Sequence, residues 1–507
     1  MPYGLQLDEL QVVSDLHLGG RPGFQIFASG PELAWLVDSV AQSKAPGLAA
    51  LLINGDFIDF LAEEPALAFD PQGAIAKLDR VMADPAFAPV FAAFARLLAT
   101  PKRLLAINLG NHDLELALPW VRRHLADKLT SGDPTAASRL LLVTDGAGFA
   151  CTVGTASVLC LHGNEVDSWN VTDFERVRRI GRDTQFGLTP APWTPNAGAQ
   201  LVVEAMNQIK RDYPFVDLLK PENAAVAPIL AALNPQLLSR LQDLTGVASR
   251  KAVDMVRMGM GFLDADLPAG GAPGAAGGSS GGSAGVTPDS RWMLAAMPVA
   301  APPGGSARAL MDRAEQAYAQ GVQPMTLVNG NQGEQLGVWG AAWAALRGKP
   351  AADVLRETLD CLDTDQSFDV AAPDDTFKAI DALVAPEIDL VLAGHTHLER
   401  TLRRQRGFGH YFNSGTWARL MRITPAVRQD PVRFAALFKL LNGSRIETLE
   451  RAEPELVLRR NTVISIWRDT GGATQAELRH VGLDPALPGK FQALPVTGTR
   501  HTAGLRS

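Results

Sequence analysis

Five short apolar runs, each closing on a polar, glycine-bearing turn, constrain the fold of this chain more than any other feature. LQVVSDLHLGG begins at Leu10, LAALLINGDFID at Leu48, RLLAINLGNHD at Arg103, ASVLCLHGNEVD at Ala156 and IDLVLAGHTH at Ile388. Runs this short and this rich in Val, Ile and Leu suit strands buried on both faces. Helical patterns lie between the first three, in PELAWLVDSVAQS from Pro31 and FAPVFAAFARLLA from Phe87. Strand, helix, strand in that order predicts a layered α/β domain. In such sheets chemistry collects at the carboxyl ends of the strands, where all five polar turns fall.

His162 and His395 stand 233 positions apart (395 − 162), too far for a structureless loop inside a compact domain. The spacing predicts a folded insertion at 168–384 between a first core part at 1–167 and a second at 385–484. Residues 199–262 carry a largely helical pattern, and SARALMDRAEQAYAQG and QLGVWGAAWAALRG continue it. The Gly/Ser/Ala-rich stretch 267–288 cannot bury a core and reads as a flexible loop. GHYFNSGTWAR (409–419) and NTVISIWRD (461–469) are strand-like, whereas the Pro/Gly/Thr-rich tail 485–507 is expected to fray.

Composition excludes several classes. At 507 residues, 46% hydrophobic and 20% charged, the chain is neither disordered nor fibrous. A net charge of −7 argues against a nucleic-acid coat or a polybasic membrane binder, so nucleic acid is an open but disfavoured partner. Cys151, Cys160 and Cys361 form no disulfide framework and no paired thiolate site. No signal-peptide pattern opens the chain, and no window of about 18 apolar residues could form a membrane span, which predicts a cytoplasmic protein.

The strand-end residues have the chemistry of metal ligands. Asp15 and His17 share one side of a strand end because side chains alternate with period two. Asp56 follows a glycine that permits a sharp turn, Asn111 offers an amide oxygen, and His162, His395 and His397 supply imidazoles. Of the nine histidines, five (17, 112, 162, 395 and 397) sit at these strand ends. Singly, each short motif matches by chance. In fixed order, each closing an apolar run, they point to one shared site.

This ordered set resembles the calcineurin-like metallophosphoesterase superfamily, whose pattern is DxH, GDxxD, GNH(D/E), a single histidine and GHxH. The resemblance covers the core, roughly residues 5–167 and 388–481, and includes a closing turn at Asn413-Ser414-Gly415-Thr416. It implies a four-layer α/β/β/α sandwich with a large, mostly helical insertion. It also implies two divalent metal ions: Asp15, His17, Asp56 and His397 on the first, and Asp56, Asn111, His162 and His395 on the second. Mixed imidazole and carboxylate donors suit manganese, iron or zinc. The implied reaction cleaves a phosphate mono- or diester by attack of a hydroxide shared between the ions. His112 would protonate the leaving group, and Asp59 would orient His112.

Related activities stay open. A DNA exonuclease branch shares SDLHLG and GNHD, and a branch that hydrolyses nucleotide-lipid pyrophosphates has a similar start but typically arginine at the position of His112. A non-catalytic protein-binding scaffold would be expected to lose ligands, and none is lost. Glu165, Asp167, Trp169 and Asn170 either line the pocket rim or, for Asp167, cap the next helix. RTLRRQR (400–406) reads as a solvated hairpin in preference to an anion-receiving surface.

Overall fold

The structure, a computed structural model, describes residues 4–167, 169–219, 350, 352–353, 355–356, 368–442 and 445–504. Its first strands are β1 (Gln6–Leu7), β2 (Glu9–Val13), β3 (Ala49–Asn54), β4 (Arg103–Asn108), β5 (Leu140–Val143), β6 (Phe149–Val153) and β7 (Ala156–Cys160). After the insertion come β8 (Leu390–Ala393), β9 (Arg400–Arg403), β10 (His410–Asn413), β11 (Leu420–Met421) and β12 (Val457–Leu458). Four more complete the chain: β13 (Thr462–Arg468), β14 (Thr474–Leu483), β15 (Phe491–Pro495) and β16 (His501–Ala503). The five apolar runs are β2, β3, β4, β7 and β8.

The strands form a mixed α/β architecture. One sheet has eight strands in the order β15-β14-β13-β2-β3-β4-β5, with β16 also on β14, and the second has six in the order β1-β6-β7-β8-β10-β9. Strands β2 to β5 are mutually parallel, as are β7, β8 and β10, so their carboxyl ends share a direction within each sheet. Side-chain alternation sorts the strand residues into two cores. Leu51 and Ile53 of β3 join Leu33, Leu78, Phe94 and Leu125 from helices Gly30–Ala41, Ala74–Ala83, Ala88–Ala99 and Pro119–Thr130. Their neighbours Ala50 and Leu52 turn the other way and meet Val158, Leu390, Leu392 and Phe412 of the second sheet. Helix Asp375–Leu383 covers the far side of that sheet through Phe377 and Ile380, against Val391 and Tyr411. Each fully buried side chain of this size contributes about 1.5–3 kcal/mol relative to exposure.

The insertion does not stand apart from its surroundings. Residues 169–219 leave the end of β7 as short helices, and Met206, Ile209, Phe215 and Leu218 share a core with Phe434, Leu437, Ile446 and Leu449 from helices Pro431–Leu441 and Ile446–Ala452. A third segment of the chain, between β11 and β13, thus packs with the insert, a partnership the sequence pattern does not reveal. The loop expected at 267–288, Cys361 and most of the expected insert helices lie outside the described residues.

Two expectations are corrected. The tail does not fray throughout: β15 and β16 both pair antiparallel with β14, and Thr499 is fully buried. An unpaired sheet edge recruits chain wherever hydrogen-bonding groups are within reach, and Pro495 is tolerated at the end of an edge strand. RTLRRQR does make a hairpin, β9 against β10, but it is not solvated throughout. Arg400 and Arg404 are buried and paired with Asp374 (3.4 Å) and Asp381 (2.8 Å). Among the described residues, no single helix is long and apolar enough to cross a membrane.

Candidate metal centre

The first expected ligand of each motif lies two or three residues past the end of a strand (Asp15 after β2, Asp56 after β3, Asn111 after β4, His162 after β7 and His395 after β8), and His17 and His397 follow two residues later. Within two residues the backbone must turn from extended into a loop, and it does so through the left-handed region. Asp15 (φ 52°), His17 (46°), Asp56 (53°), His395 (68°) and His397 (61°) all have positive φ. They are five of the eight non-glycine residues in that state among the described residues. Such backbone costs about 1–3 kcal/mol per residue and persists where the surrounding structure holds it for a purpose. Short polar side chains such as these tolerate it best. Two glycines are needed for close approach: a Cβ on Gly55 would lie 2.1 Å from His162 Nδ1, and one on Gly110 2.2 Å from Asp56 Oδ1.

The turns bring their side chains into contiguous groups. In the first, His397 Nε2 is 3.0 Å from His17 Nε2 and 3.3 Å from Asp15 Oδ1. In the second, His162 Nε2 is 3.2 Å from Asp56 Oδ2, and the His162 and His395 ring centres are 5.3 Å apart. Asp56 joins the two, since the same Oδ2 lies 3.7 Å from His17 Nε2. His162 Nδ1 donates to the Asn54 carbonyl at 2.8 Å, which turns Nε2 toward Asp56. The turn at Asn413-Ser414-Gly415-Thr416 locks the first group from behind: Thr416 Oγ1 donates to the Asp15 carbonyl (2.8 Å), and Asn413 Nδ2 to the Gly394 carbonyl (2.7 Å).

His112 and Asp59 form a pair beside the first group. His112 Nδ1 and Asp59 Oδ1 are 3.0 Å apart, Asp59 Oδ2 is 3.4 Å from His17 Nδ1, and the His17 and His112 rings meet edge-on at 4.7 Å. The His112 backbone N–H donates to Asp56 Oδ1 at 2.9 Å. Asp113 accepts the Phe57 and Gly110 N–H groups, each at 2.8 Å, and so ties the GDxxD turn to the GNHD turn.

Burial and charge pull the titrating groups apart. Burial alone would raise the Asp15 carboxyl, but His397 outweighs it and holds Asp15 at about 2. Asp56 and Asp59 likewise lie well below the usual carboxylate range despite burial, under the pull of His162 and His112 and of His112 and His17. Burial disfavours charge on His112, yet the Asp59 and Asp56 carboxylates raise it to about 9. Asp113 moves the other way, to about 7, because burial and the Asp56 charge both favour its protonated form.

The residues fit a cation. Asn111 Oδ1 is buried without a hydrogen-bond partner, and Asp15 Oδ1 and His162 Nε2 face only other members of the cluster, His397 Nε2 and Asp56 Oδ2. Clustered lone-pair atoms of that kind are costly unless a cation or ordered water satisfies them. Asp15, His17 and His397 can hold a metal ion, as can Asp56, His162 and His395, with the donor atoms of each set within 4.8 Å of one another. Imidazole, carboxylate and amide donors suit a first-row divalent ion.

Of the flanking residues, Asp167 does not cap the next helix: helix Phe174–Gln185 is capped by Asp173, and Asp167 Oδ2 sits 2.9 Å from His395 Nε2. Glu165 folds back on its own turn and accepts the His162 and Gly163 N–H groups. Asp113 stands in the GNHD motif, but the motif gives no sign that this carboxylate ties two turns together. Comparison of the chain with protein-family models, with curated proteins and with solved structures found no match.

Proposed function

We propose that this chain is a dinuclear metal-dependent hydrolase of phosphate mono- or diesters, of the calcineurin-like type, with the four-layer α/β/β/α core that such enzymes share. The observation that carries this reading is Asp56, one carboxylate oxygen of which faces His17 of the first group and His162 of the second. A lone structural carboxylate needs no such placement, whereas a bridging ligand does. Helices on the outer faces of two stacked sheets support the core assignment.

Two divalent ions at these groups would supply Lewis-acid stabilisation of the phosphoryl oxygens and an acidified water. The chain's own residues do the rest. Asp59 accepts the proton on His112 Nδ1, which fixes the ring and leaves Nε2 as the working nitrogen. His112 holds a proton at neutral pH and can donate it to the departing alkoxide. Asp59 is the carboxylate in direct contact with the ring, 3.0 Å from Nδ1. Burial of Asp15, His17, Asp56, Asn111, His162 and His397 limits competition from bulk water for these donors, whereas His395 is partly exposed.

Asp56→Asn should lower hydrolysis of aryl phosphate mono- and diesters by several orders of magnitude and reduce metal content. Full metal content with near-normal turnover would sink the assignment.

A further inference from the structure

Asp167 belongs to the segment that leaves the core for the insertion, yet it contacts His395, 228 positions later in the chain. Its Oδ2 is 2.9 Å from His395 Nε2 and accepts Asn170 Nδ2 at 2.7 Å, while Oδ1 accepts the Trp169 N–H at 2.9 Å. A ligand imidazole carries one ring proton, and the carboxylate beside Nε2 draws it there, leaving Nδ1 of His395 with the lone pair. His162 is fixed the opposite way, its Nδ1 proton held by the Asn54 carbonyl. Asn170 extends the contact: its Oδ1 faces Asn111 Nδ2 at 3.4 Å, and its carbonyl accepts Asn164 Nδ2 and Asn196 Nδ2, each at 3.0 Å. Asn196 caps helix Ala197–Leu201 of the insert, and a Cβ on Gly198 would lie 1.9 Å from Asn170 Oδ1. The insert therefore rests directly on the residue that touches Asn111.

We infer that Asp167 is a positioning residue for the second metal ion, fixing His395 as its Nδ1 donor, and that with Asn170 it couples the insert to two ligands of that ion. The inference rests on the two-metal reading above. Carboxylates placed behind a ligand histidine are worth roughly 10–100-fold in metal affinity.

The test uses the full chain, stripped by chelator and titrated with Mn²⁺ or Zn²⁺ in competition with a chromophoric chelator. Wild type should bind two ions. Asp167→Asn should weaken one of them by roughly 10–100-fold and leave the other within about threefold, and Asp167→Glu should recover part of the loss. Gly198→Ala, which disturbs Asn170 from outside the ligand set, should weaken the same ion by a smaller factor. In the metal-free proteins, long-range ¹H–¹⁵N spectra of the imidazoles should show His395 as the Nε2–H tautomer in wild type and as a mixture in Asp167→Asn. That signal does not move if Asp167 only stabilises the loop. Unchanged affinities for both ions in a folded Asp167→Asn, or an unchanged His395 tautomer, would overturn the inference and leave the two-metal reading intact. A wild type that binds no ion overturns that reading itself, and this inference with it.

Discussion

The two halves of the candidate metal centre are braced by different parts of the molecule. Around Asp15, His17 and His397 the supports come from the strand-end turns: Ser14 and the His395 N–H on Asp15, Asp59 on His17, and Thr416 on the Asp15 carbonyl. Around His395 and Asn111 the supports are Asp167 and Asn170, which belong to the start of the insertion. The first half is thus fixed by the sheets themselves, and the second depends on how the insert is seated.

The sharpest way to break this comparison is at the sheet-braced half. His112→Asn should cut turnover by about 10²–10⁴-fold for esters with poor leaving groups, and by less for activated aryl esters that scarcely need a proton. Metal stoichiometry should stay at the wild-type value. An equal loss across a leaving-group series, measured as kcat/KM, would remove His112 from proton donation.

At the insert-braced half, Phe215 is fully buried against the helices of residues 431–452. Phe215→Ala should cost about 3–5 kcal/mol in denaturant unfolding, as for other large core truncations. At metal concentrations that saturate the first ion, it should also lower occupancy of the second. A stability loss under about 1 kcal/mol would mean that the insert is not seated through this core.

A milder probe returns to the sheet-braced side. Glu115 is buried just past the GNHD turn, and burial raises it to about 7 from 4.5, with the Asp70 N–H and Lys77 opposing. Its folded-state value is the higher one, so its protonated form is favoured by folding. That contribution is fully present below pH 4.5 and is lost as pH rises to about 7. Glu115→Gln keeps the acceptor for Asp70 and should be more stable than wild type by roughly 2–3 kcal/mol above pH 7.5, with little difference at pH 4. Parallel pH–stability curves for the two proteins would contradict this.

What the sequence showed follows the same division. The five strands, and the gathering of Asp15, His17, Asp56, His162, His395 and His397 beyond their ends, were legible because each apolar run and its turn are local patterns, and buried parallel strands leave a simple Val/Ile/Leu signature. Asp167 was visible only as a rim residue or a helix cap, because its partner lies 228 positions away and no local period records such a contact. The tail was misread from its Pro and Gly content, since the open edge of β14 that recruits it is a property of the assembled sheet. Arg400 and Arg404 looked solvated in a run of like charges until Asp374 and Asp381 arrived from helix Asp375–Leu383 and its cap.

The central claim is that one carboxylate, Asp56, joins two metal ions. The most direct measurement is anomalous diffraction at the manganese or zinc edge on crystals of chelator-treated, reloaded protein. The account predicts two peaks about 3.5–4 Å apart, with Asp56 between them. A single peak, or two peaks without Asp56 in contact with both, would contradict it.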